Sequence, residues 1–470
     1  GPAQNSVDYA SVYQFLCSGY TTGSATLHRG ISQFLPGEVH ELWPSLGGSV
    51  PMKQTFTPNP WITENRRRVD SESLDNLIEA FRTEGTRLRE CQLMFSAGWD
   101  SRTILAAILT SCGPKRVLAY SHGDTLSREI HIANEICREN NLLRKTVEIG
   151  DLGIALETIE NSLLHAGHAL FPQWYLAAIH ANRHGFPLVT GGIFGGILGG
   201  HYSVPSVVKG GRQQFASLYR YLYAPPRVAS GQNALDAAYE LLRPGHYIDW
   251  WCLRPEVIEE IQGEVEERSE CDLVNELEGL ISRGVSDLEG LVEAFQVMHR
   301  GRQYMNGQLG LCLGTVPVIN PFTNGAIVRV ACSLRLQDKI HNKINRLIIG
   351  KLNPRLLKYP MAATLAPAAW PVTIQEMSRG LRKLVETARW RLHGQTHSKL
   401  MQRPNMGWVN FEFLRNDSLL YDMIDSLQLE IWDKPRMHNM IANHPSRSMH
   451  PIYDMLCKIK TADFQLTGPV

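Results

Sequence analysis

The spacing of apolar residues changes along the chain and divides it into three parts. Residues 1–65 are rich in Gly, Pro, Ser and Thr and contain only two short apolar pieces, which predicts an irregular segment. Between 69 and 89, apolar residues recur on one helical face behind Asp70 or Ser71, either of which can cap a helix. We therefore expect the first regular helix to begin near residue 70.

Between residues 90 and 190, short apolar runs alternate with helical patterns. Strands are predicted at 92–95, 116–121, 144–149 and 186–190, and helices at 102–111, at 127–141, from about 152, and at 172–184. Such alternation predicts a parallel sheet wrapped by helices. After about residue 225 the strand pattern disappears, and helices are predicted at 234–243, 255–268, 271–283, 288–305, 325–333 and 340–352. The second half should therefore be mostly helical and pack on the α/β core.

The composition is that of a folded protein with balanced charge. Among 470 residues, 47 Lys and Arg face 46 Asp and Glu, which gives a formal charge of +1, and 43% are hydrophobic. This balance argues against nucleic acid as a partner and against a polybasic membrane anchor, and no apolar run reaches the roughly 18 residues that a membrane span needs. The nine cysteines form no C-x-x-C pair, which excludes a zinc ribbon and a thioredoxin-type site. Their scatter favours a reducing compartment, so we expect a cytoplasmic protein.

The residues that follow the first predicted strand carry the candidate chemistry. They are Ser96-Ala97-Gly98-Trp99-Asp100-Ser101. Parallel sheets bind ligands at the carboxyl ends of their strands, and small residues, two hydroxyl groups and the start of a helix suit an anion there. Asp100 would repel a bare phosphate but could hold Mg²⁺ bound to that phosphate. A tight strand–helix turn with a capping Asp or Ser explains the same six residues equally well.

Two other groups of residues are less specific. The Gly-rich stretch at 191–200 contains neither G-x-G-x-x-G nor G-x-x-x-x-G-K-[ST], which excludes a dinucleotide fingerprint and a Walker A loop at that position. The cluster His299-Arg300-Gly301-Arg302 could meet an anion, but an exposed helix end is the simpler interpretation.

The motif at 95–102 resembles the S-G-G-x-D-S pyrophosphate loop of the ATP-pyrophosphatase (PP-loop) superfamily, and specifically of asparagine-synthetase-like enzymes. Further landmarks follow in the family's order from about residue 12 to about residue 365. Segment 20–37 resembles the joint between the family's glutaminase and synthetase domains, 121–149 its second ATP-binding strand–helix–strand, and 188–202 its G-x-G-A-D-E-L-F-G-G-Y stretch. The P-F-L-D and K-x-x-x-R-P-K-type landmarks are matched by Pro321-Phe322, Lys343, Arg346, Pro354 and Lys358.

The resemblance implies a fold, a domain division and a reaction. The fold would be an α/β, parallel-sheet PP-loop core, like the adenine nucleotide alpha-hydrolases, with a mostly helical C-terminal half. Residues 1–65 would correspond to the interdomain joint, 66–225 to the ATP-binding core and 226–470 to the helical part, with an unmatched extension from about 366. The reaction would be ATP-dependent amide-bond formation, in which an acyl-adenylate forms, pyrophosphate leaves, and an amine or ammonia then displaces AMP. A role in natural-product or other specialised biosynthesis is expected.

The resemblance also implies roles for individual residues. The ATP-binding residues would be Ser96, Gly98, Asp100, Ser101, Ser121, Gly123 and Gly191. Asp100 would also hold Mg²⁺. Lys343 and Arg346 would be catalytic, and Lys343 would stabilise charge in the transition state. On a continuous helix these two residues would share one face with Lys339.

The expected partners are a small-molecule or peptide carboxylate and a donor of an amine or ammonia. Family glutaminase domains carry a catalytic cysteine near the mature N-terminus, and Cys17 does not match it. Two explanations stay open. Either a glutaminase domain lies outside the given sequence, or the nitrogen comes from free ammonia, from a separate partner protein, or from an amine within the substrate. The last is the case in the relatives that close β-lactam rings or macrolactams.

Three departures from the family pattern bear on function. Ala97 replaces the middle glycine of S-G-G, which is a mild change if the local φ is negative. Gly195 and Gly196 stand where the family has an acidic pair, and Thr323-Asn324 stand where it has L-D. Loss of the aspartate of that acidic pair would have one of three consequences. Metal binding would be weaker, the metal would be held by water or by Asp124 instead, or ATP chemistry would be lost. Three alternatives stay open: an amide ligase, a binding protein that has lost catalysis, and a sulfur-transfer or tRNA-modifying relative, for which no reactive cysteine pair or basic face is visible.

The charges are unevenly distributed around the Gly-rich stretch. No Asp or Glu occurs between Asn161 and Leu235, whereas five basic residues do: Arg183, Lys209, Arg212, Arg220 and Arg227. We expect this local positive excess to replace part of the charge of a missing metal ion.

Overall fold

The computed structural model describes residues 7–42, 52–56, 66–114, 116–123, 125, 127–148, 154–200, 233–243, 252–393, 418–443 and 449–468. Its centre is a five-stranded, all-parallel sheet. A separate antiparallel pair lies near the start of the chain. The strands are β1 (Glu38–Leu42) and β2 (Met52–Phe56) in that pair, and β3 (Cys91–Met94), β4 (Val117–His122), β5 (Leu143–Val147), β6 (Leu188–Val189) and β7 (Val318–Ile319) in the sheet.

Helices cover the sheet and account for most of the second half of the described chain. They are α1 (Tyr9–Ser18), α2 (Ser71–Arg87), α3 (Trp99–Ser111), α4 (Arg128–Glu139), α5 (Leu156–Ala166), α6 (Pro172–Asn182), α7 (Gly196–Gly199), α8 (Ala234–Leu242), α9 (Pro255–Ser282), α10 (Leu288–Gln296), α11 (Gly307–Cys312), α12 (Gly325–Ser333), α13 (Leu336–Lys339), α14 (Lys343–Leu352), α15 (Val372–His393), α16 (Leu419–Asp425), α17 (Lys434–Asn443) and α18 (Met449–Thr467). The α/β core and the helical second half therefore agree with the sequence prediction.

Local sequence signals place several helix ends. The carboxylate of Asp70 accepts a hydrogen bond from the Ser73 amide at the start of α2, and the hydroxyl of Ser127 accepts one from the Ile130 amide at the start of α4. Such side chains satisfy backbone N–H groups that the first turn of a helix leaves without a partner. These two predicted helix starts are confirmed within one residue.

Three predictions about elements were wrong. The segment 1–65 is not irregular throughout, because it contains α1, capped by Asp8, and the β1–β2 pair. Strands do not end at residue 225, since β7 is an edge strand of the central sheet. The two helices predicted at 255–268 and 271–283 form one helix of 28 residues, α9. A two-residue strand such as β7 is too short for a period-2 pattern to appear.

Two further corrections concern basic residues. The segment Val297–Met305 is a π-helix that continues α10, and His299 within it is fully buried rather than part of an exposed helix end. The helix predicted at 340–352 begins only at Lys343, because His341 and Asn342 have φ of 60° and 57°. Left-handed residues interrupt an α-helix, and Asn and His tolerate that conformation better than most residues. Lys339 is therefore not on one continuous helix with Lys343 and Arg346.

The hydrophobic core crosses the boundary predicted near residue 225. Leu93 of β3, Val189 of β6, Leu291 of α10 and Ile344 of α14 belong to one cluster of buried side chains. A second cluster joins the two ends of the chain, with Leu16 of α1 packed together with side chains of α5 and α18. No helix in the described residues is long and apolar enough to cross a membrane.

Candidate functional site

The order of the parallel strands indicates where a ligand can bind. The sheet runs β5-β4-β3-β6-β7, so the chain moves outward in one direction from β3 and then returns to add β6 and β7 on the other side. The connections after β3 and β6 diverge at this point and leave a crevice at the carboxyl ends of the two strands. The loop that begins at Ser96 follows β3, and the Gly-rich stretch that begins at Gly191 follows β6.

Both loops approach each other closely in this crevice. A β-carbon at position 191 would lie 2.2 Å from the carbonyl oxygen of Met94 and 3.0 Å from Cβ of Ser101. Only glycine fits this approach, because real β-carbons are not found so close to other heavy atoms. Gly191 therefore allows the Gly-rich stretch to lie directly against the loop at 96–101.

The two serines of the loop hold its turn together. The Ser96 hydroxyl accepts a hydrogen bond from the Gly98 amide at 3.2 Å and lies 3.4 Å from the Ser101 hydroxyl. The Ser101 hydroxyl donates to the Gly98 carbonyl at 3.2 Å. Gly98 is the N-cap of the 13-residue helix α3 and has no side chain to accept from the amides of the first turn. Two hydroxyl groups and an uncapped helix start thus lie together, an arrangement that suits an anion.

Ala97 has φ of +58°, so the condition under which its replacement of glycine would be mild is not met. The left-handed region costs an L-residue about 1–2 kcal/mol. Ala97 is also buried and packs in the main hydrophobic cluster, so its methyl group contributes to stability. The two effects oppose each other, and burial of one methyl group contributes about 0.8 kcal/mol.

These opposing effects lead to a matched prediction. We expect Ala97→Gly to change the free energy of unfolding by less than about 1 kcal/mol, because relief of backbone strain offsets the lost methyl group. Ala106→Gly removes an equally buried methyl group from the middle of α3, where glycine is unfavourable, and should destabilise by about 2 kcal/mol. Urea unfolding of both variants measures the difference, and equal losses would show that Ala97 is not strained.

The Asp100 carboxyl group is enclosed by other parts of the crevice. The Asn345 side chain donates a hydrogen bond to its Oδ1 at 2.9 Å. A β-carbon at position 195 would lie 2.3 Å from its Cγ, and one at position 192 would lie 3.6 Å from its Oδ2. Burial raises the pKa of Asp100 to about 7, and the Asn345 hydrogen bond opposes this shift only in part.

The raised pKa of Asp100 predicts a specific pH dependence for the protein without added divalent metal. Between about pH 4 and pH 7 the unfolded state loses the Asp100 proton and the folded state keeps it, so stability falls as pH rises. Asp100→Asn removes this dependence and keeps an acceptor for Asn345. We expect its stability relative to wild type to rise by on the order of 3 kcal/mol between pH 4 and pH 8.

The measurement for Asp100→Asn is chemical unfolding of both proteins across this pH range, in which all other titrating groups cancel. Asp70 supplies a control, because hydrogen bonds from Ser73 lower its pKa and Asp70→Asn should give the opposite slope. If the difference between wild type and Asp100→Asn did not depend on pH, the carboxyl group would not be desolvated as described.

Asn345 belongs to a small buried network that sequence reasoning missed. Its Nδ2 also donates to Asn342 Oδ1 at 3.1 Å, and its Oδ1 accepts from the Thr103 hydroxyl at 3.3 Å. Asn345 is fully buried on α14, and the network joins that helix to α3 across the crevice. Residue spacing could not reveal it, because Asn345 and Asp100 are 245 positions apart.

Arg102 is the second residue that the sequence did not single out. Its guanidinium group is fully buried and donates to the carbonyls of Ala97 at 2.7 Å, Leu356 at 3.2 Å and Tyr359 at 3.0 Å, and also to that of Pro360. Burial lowers its pKa to about 10, so the side chain is still charged at neutral pH. It connects the loop at 96–101 with the segment that follows α14.

The remaining predicted binding residues lie at or near the same edge of the sheet. Ser121 is buried near the end of β4 and donates its hydroxyl to the Phe95 carbonyl at 2.7 Å. Gly123 follows β4 with φ of +129°, and its amide donates to the Val147 carbonyl at 3.0 Å. Ser121 and Gly191 thus lie against the loop at 96–101 or the residues just before it, whereas the hydrogen bond of Gly123 joins it to β5. Asp124, the alternative metal ligand, lies outside the described residues.

The two predicted catalytic residues are not directed at Asp100. The Lys343 ammonium group donates to the Gln337 carbonyl at 2.6 Å, and the Arg346 guanidinium donates to the Ala369 carbonyl. Lys343 is exposed at the start of α14 and lies about 200° around the helix axis from Asn345. The structure thus brings Ser96, Gly98, Asp100, Ser101 and Gly191 together but leaves Lys343 and Arg346 on carbonyls of other segments.

The groups around Asp100 do not provide the oxygen ligands that a resident divalent cation needs. Mg²⁺ is usually held by carboxylate oxygens together with phosphates and water. Gly192 and Gly195 provide no side-chain oxygen, and the amide of Asn345 already donates to the carboxyl group. Among the residues that the structure describes, no group of three or more His, Cys, Asp or Glu side chains could hold a metal ion. Of the five basic residues that we expected to compensate for a metal, only Arg183 is described.

Comparisons with known proteins add no assignment: neither a scan against protein-family models nor a search of curated proteins found a match for this chain.

Proposed function

We propose that the protein is an ATP-dependent amide ligase that works through an acyl-adenylate. A carboxylate oxygen of the substrate attacks the α-phosphorus of ATP, and pyrophosphate leaves. An amine or ammonia then attacks the acyl carbon, so that an amide forms and AMP leaves. A small-molecule or peptide carboxylate of specialised biosynthesis is the proposed substrate class.

One observation carries the proposal: two serine hydroxyls and the uncapped start of α3 lie together in the crevice between β3 and β6. Polyphosphates bind at helix N-termini in parallel α/β sheets, because N–H groups and the helix dipole favour negative charge there. Ser96, Ser101 and the first turn of α3 would hold the pyrophosphate part of ATP. Arg102 would fix the loop through the carbonyl of Ala97.

A catalytic role for Lys343 requires one change of contact. Its ammonium group would exchange the Gln337 carbonyl for the reacting phosphate, where it would stabilise the charge that develops in the transition state. Lys343 is exposed, and a lysine side chain has enough rotatable bonds for such an exchange.

The experiment is a screen of carboxylates and peptides for the release of both pyrophosphate and AMP. In the presence of an active substrate, Ser96→Ala combined with Ser101→Ala should lower kcat/KM by at least about a hundredfold, since each hydroxyl stabilises developing negative charge. Lys343→Met should lower kcat and leave ATP affinity within about threefold. Lys351→Met, in the last turn of the same helix, is the matched control and should have no effect. Unchanged turnover in the double serine variant would refute the proposed site.

A second candidate function is a binding protein that keeps the nucleotide site but has lost catalysis. The contact of Gly195 with Asp100 and the contact of Lys343 with Gln337 favour it. This candidate predicts ATP binding by calorimetry together with no AMP formation from any carboxylate in the screen.

A further inference from the structure

The surroundings of Asp100 point to a structural role for this residue. Its carboxyl group is in contact with Gly195 on one side and with the Asn345 amide on another. Asn345 is itself held by Asn342 and Thr103, and all three of these residues are buried. A carboxyl group in such a network is fixed in position by its neighbours, as positioning residues are in preorganised sites.

Gly195 is the critical neighbour. A β-carbon there would lie 2.3 Å from Cγ, 2.5 Å from Oδ2 and 2.7 Å from Oδ1 of Asp100, so no side chain at all is compatible with the present position of the carboxyl group. An acidic residue at this position would have to displace Asp100 from Asn345. The enclosed position of Asp100 therefore requires a glycine at position 195, so this glycine is not simply a lost metal ligand.

The backbone around this contact is held in unfavourable conformations. In the described residues, positive φ occurs at seven non-glycine positions, and four of them lie in the segments that meet at Asp100: Ala97, Phe194, His341 and Asn342. Such a conformation persists only where surrounding contacts determine it. Phe194 directly precedes Gly195, so one of these left-handed residues lies next to the contact with Asp100.

We infer that Gly195 and Asn345 are positioning residues that fix Asp100 as part of the loop framework, so that the site binds polyphosphate without a divalent cation held by Asp100. This inference rests on the proposed nucleotide site and specifies how that site would recognise its ligand. Recognition then depends on the loop amides and on the hydroxyls of Ser96 and Ser101. Any Mg²⁺ that accompanies the nucleotide would be bound by phosphate and water alone.

The test is a cycle of ATP affinities measured by calorimetry. The dissociation constant of ATP is determined for wild type and Asp100→Asn, each with excess EDTA and with excess Mg²⁺. For each protein, the dissociation constant in EDTA is divided by the dissociation constant in Mg²⁺. Comparison of this ratio between the two proteins isolates the coupling between the metal and the Asp100 carboxylate. We expect this ratio to agree within about twofold between the two proteins. A ratio that falls by tenfold or more in Asp100→Asn would show that Asp100 holds the metal and would overturn the inference.

Two glycine variants test the positioning role separately. Gly195→Ala should lower ATP affinity by about tenfold or more, because the methyl group displaces the Asp100 carboxyl group. Gly192→Ala is the matched control: its β-carbon would make only an ordinary contact of 3.6 Å with Asp100, and affinity should be retained. Equal behaviour of the two variants would overturn the role of Gly195. Thermal unfolding of each variant shows whether it is folded under the conditions of the titration.

A direct metal titration separates this inference from the proposed function. Binding of Mn²⁺ to the free protein is followed by electron paramagnetic resonance for wild type and Asp100→Asn. If neither protein binds ATP, the proposed function and the polyphosphate part of the inference fail, and this titration still decides whether Asp100 holds a divalent cation. We expect no Mn²⁺ site that depends on Asp100, and a site present in wild type and lost in Asp100→Asn would contradict it.

Discussion

Arg102→Met should destabilise the protein by about 3–5 kcal/mol, the largest effect expected from any single change in the crevice. The substitution preserves most of the side-chain volume but removes the donor to the carbonyls of Ala97, Leu356, Tyr359 and Pro360. The Tyr359 carbonyl keeps a hydrogen bond from the Ala368 amide at 3.1 Å. A buried carbonyl without a partner costs about 1–3 kcal/mol. Loss of four such bonds outweighs any gain from removing a buried charge.

The measurement for Arg102→Met is denaturant unfolding, followed both by a signal from the whole protein and by a spectroscopic probe in the loop at 96–101. Arg82→Met is the control, because Arg82 lies on the exposed face of α2 with half of its side chain accessible, and it should have little effect. Arg102→Lys keeps the charge but cannot form four directed bonds, so it should be almost as destabilising as Arg102→Met. A loss below about 1 kcal/mol in Arg102→Met would show that these hydrogen bonds do not hold the loop.

Lys339→Met should destabilise the protein by about 3 kcal/mol, because it removes one of the two cations, Lys339 and Arg66, that compensate the buried Glu293 carboxylate. The Lys339 ammonium contacts Glu293 and donates to the Ala331 carbonyl at 3.1 Å, and both charged side chains are fully buried. This pair anchors the turn between α13 and α14, which supports the Gly-rich stretch: a β-carbon at Gly200 would lie 2.8 Å from the Ile340 amide nitrogen. Helical spacing had placed Lys339 on one face with Lys343 and Arg346, which was wrong, because Lys339 is fully buried and its helix ends before Lys343.

A double-mutant cycle measures the contribution of this pair. Glu293→Leu alone should also be strongly destabilising, whereas Lys339→Met combined with Glu293→Leu should lose at least about 1 kcal/mol less than the sum of the two single changes. The exposed pair of Lys358 and Glu139 has an N–O distance of 2.8 Å and is the matched control; its cycle should show much weaker coupling. Additive losses for the buried pair would contradict its proposed role.

The sequence predicted what local patterns can determine. Periodicity and capping residues placed α2 and α4, and the alternation of strands and helices predicted the parallel sheet. The loop at 96–101 was located because it follows the first buried strand, a position that the fold makes suitable for ligands. These features depend on residues that are close together in the chain.

The features that were missed depend on distant residues or on backbone conformation. Arg102 meets the Tyr359 carbonyl across 257 positions, and Asn345 meets Asp100 across 245. The left-handed conformations of His341 and Asn342 interrupt a pattern that resembles a continuous helix, and so the shared face of Lys339, Lys343 and Arg346 was predicted wrongly. Helical periodicity cannot detect such an interruption when the residues involved are compatible with a helix.

The central claim is that a nucleotide binds between β3 and β6, and hydrogen exchange with ATP or pyrophosphate tests it most directly. Bound phosphate would accept hydrogen bonds from the first-turn amides of α3 and would slow their exchange. We expect slower exchange at residues 97–102 and 191–196, and loss of this protection when Ser96 and Ser101 are both replaced by Ala. Binding of ATP without any change at residues 97–102, or protection confined to other parts of the chain, would contradict the claim.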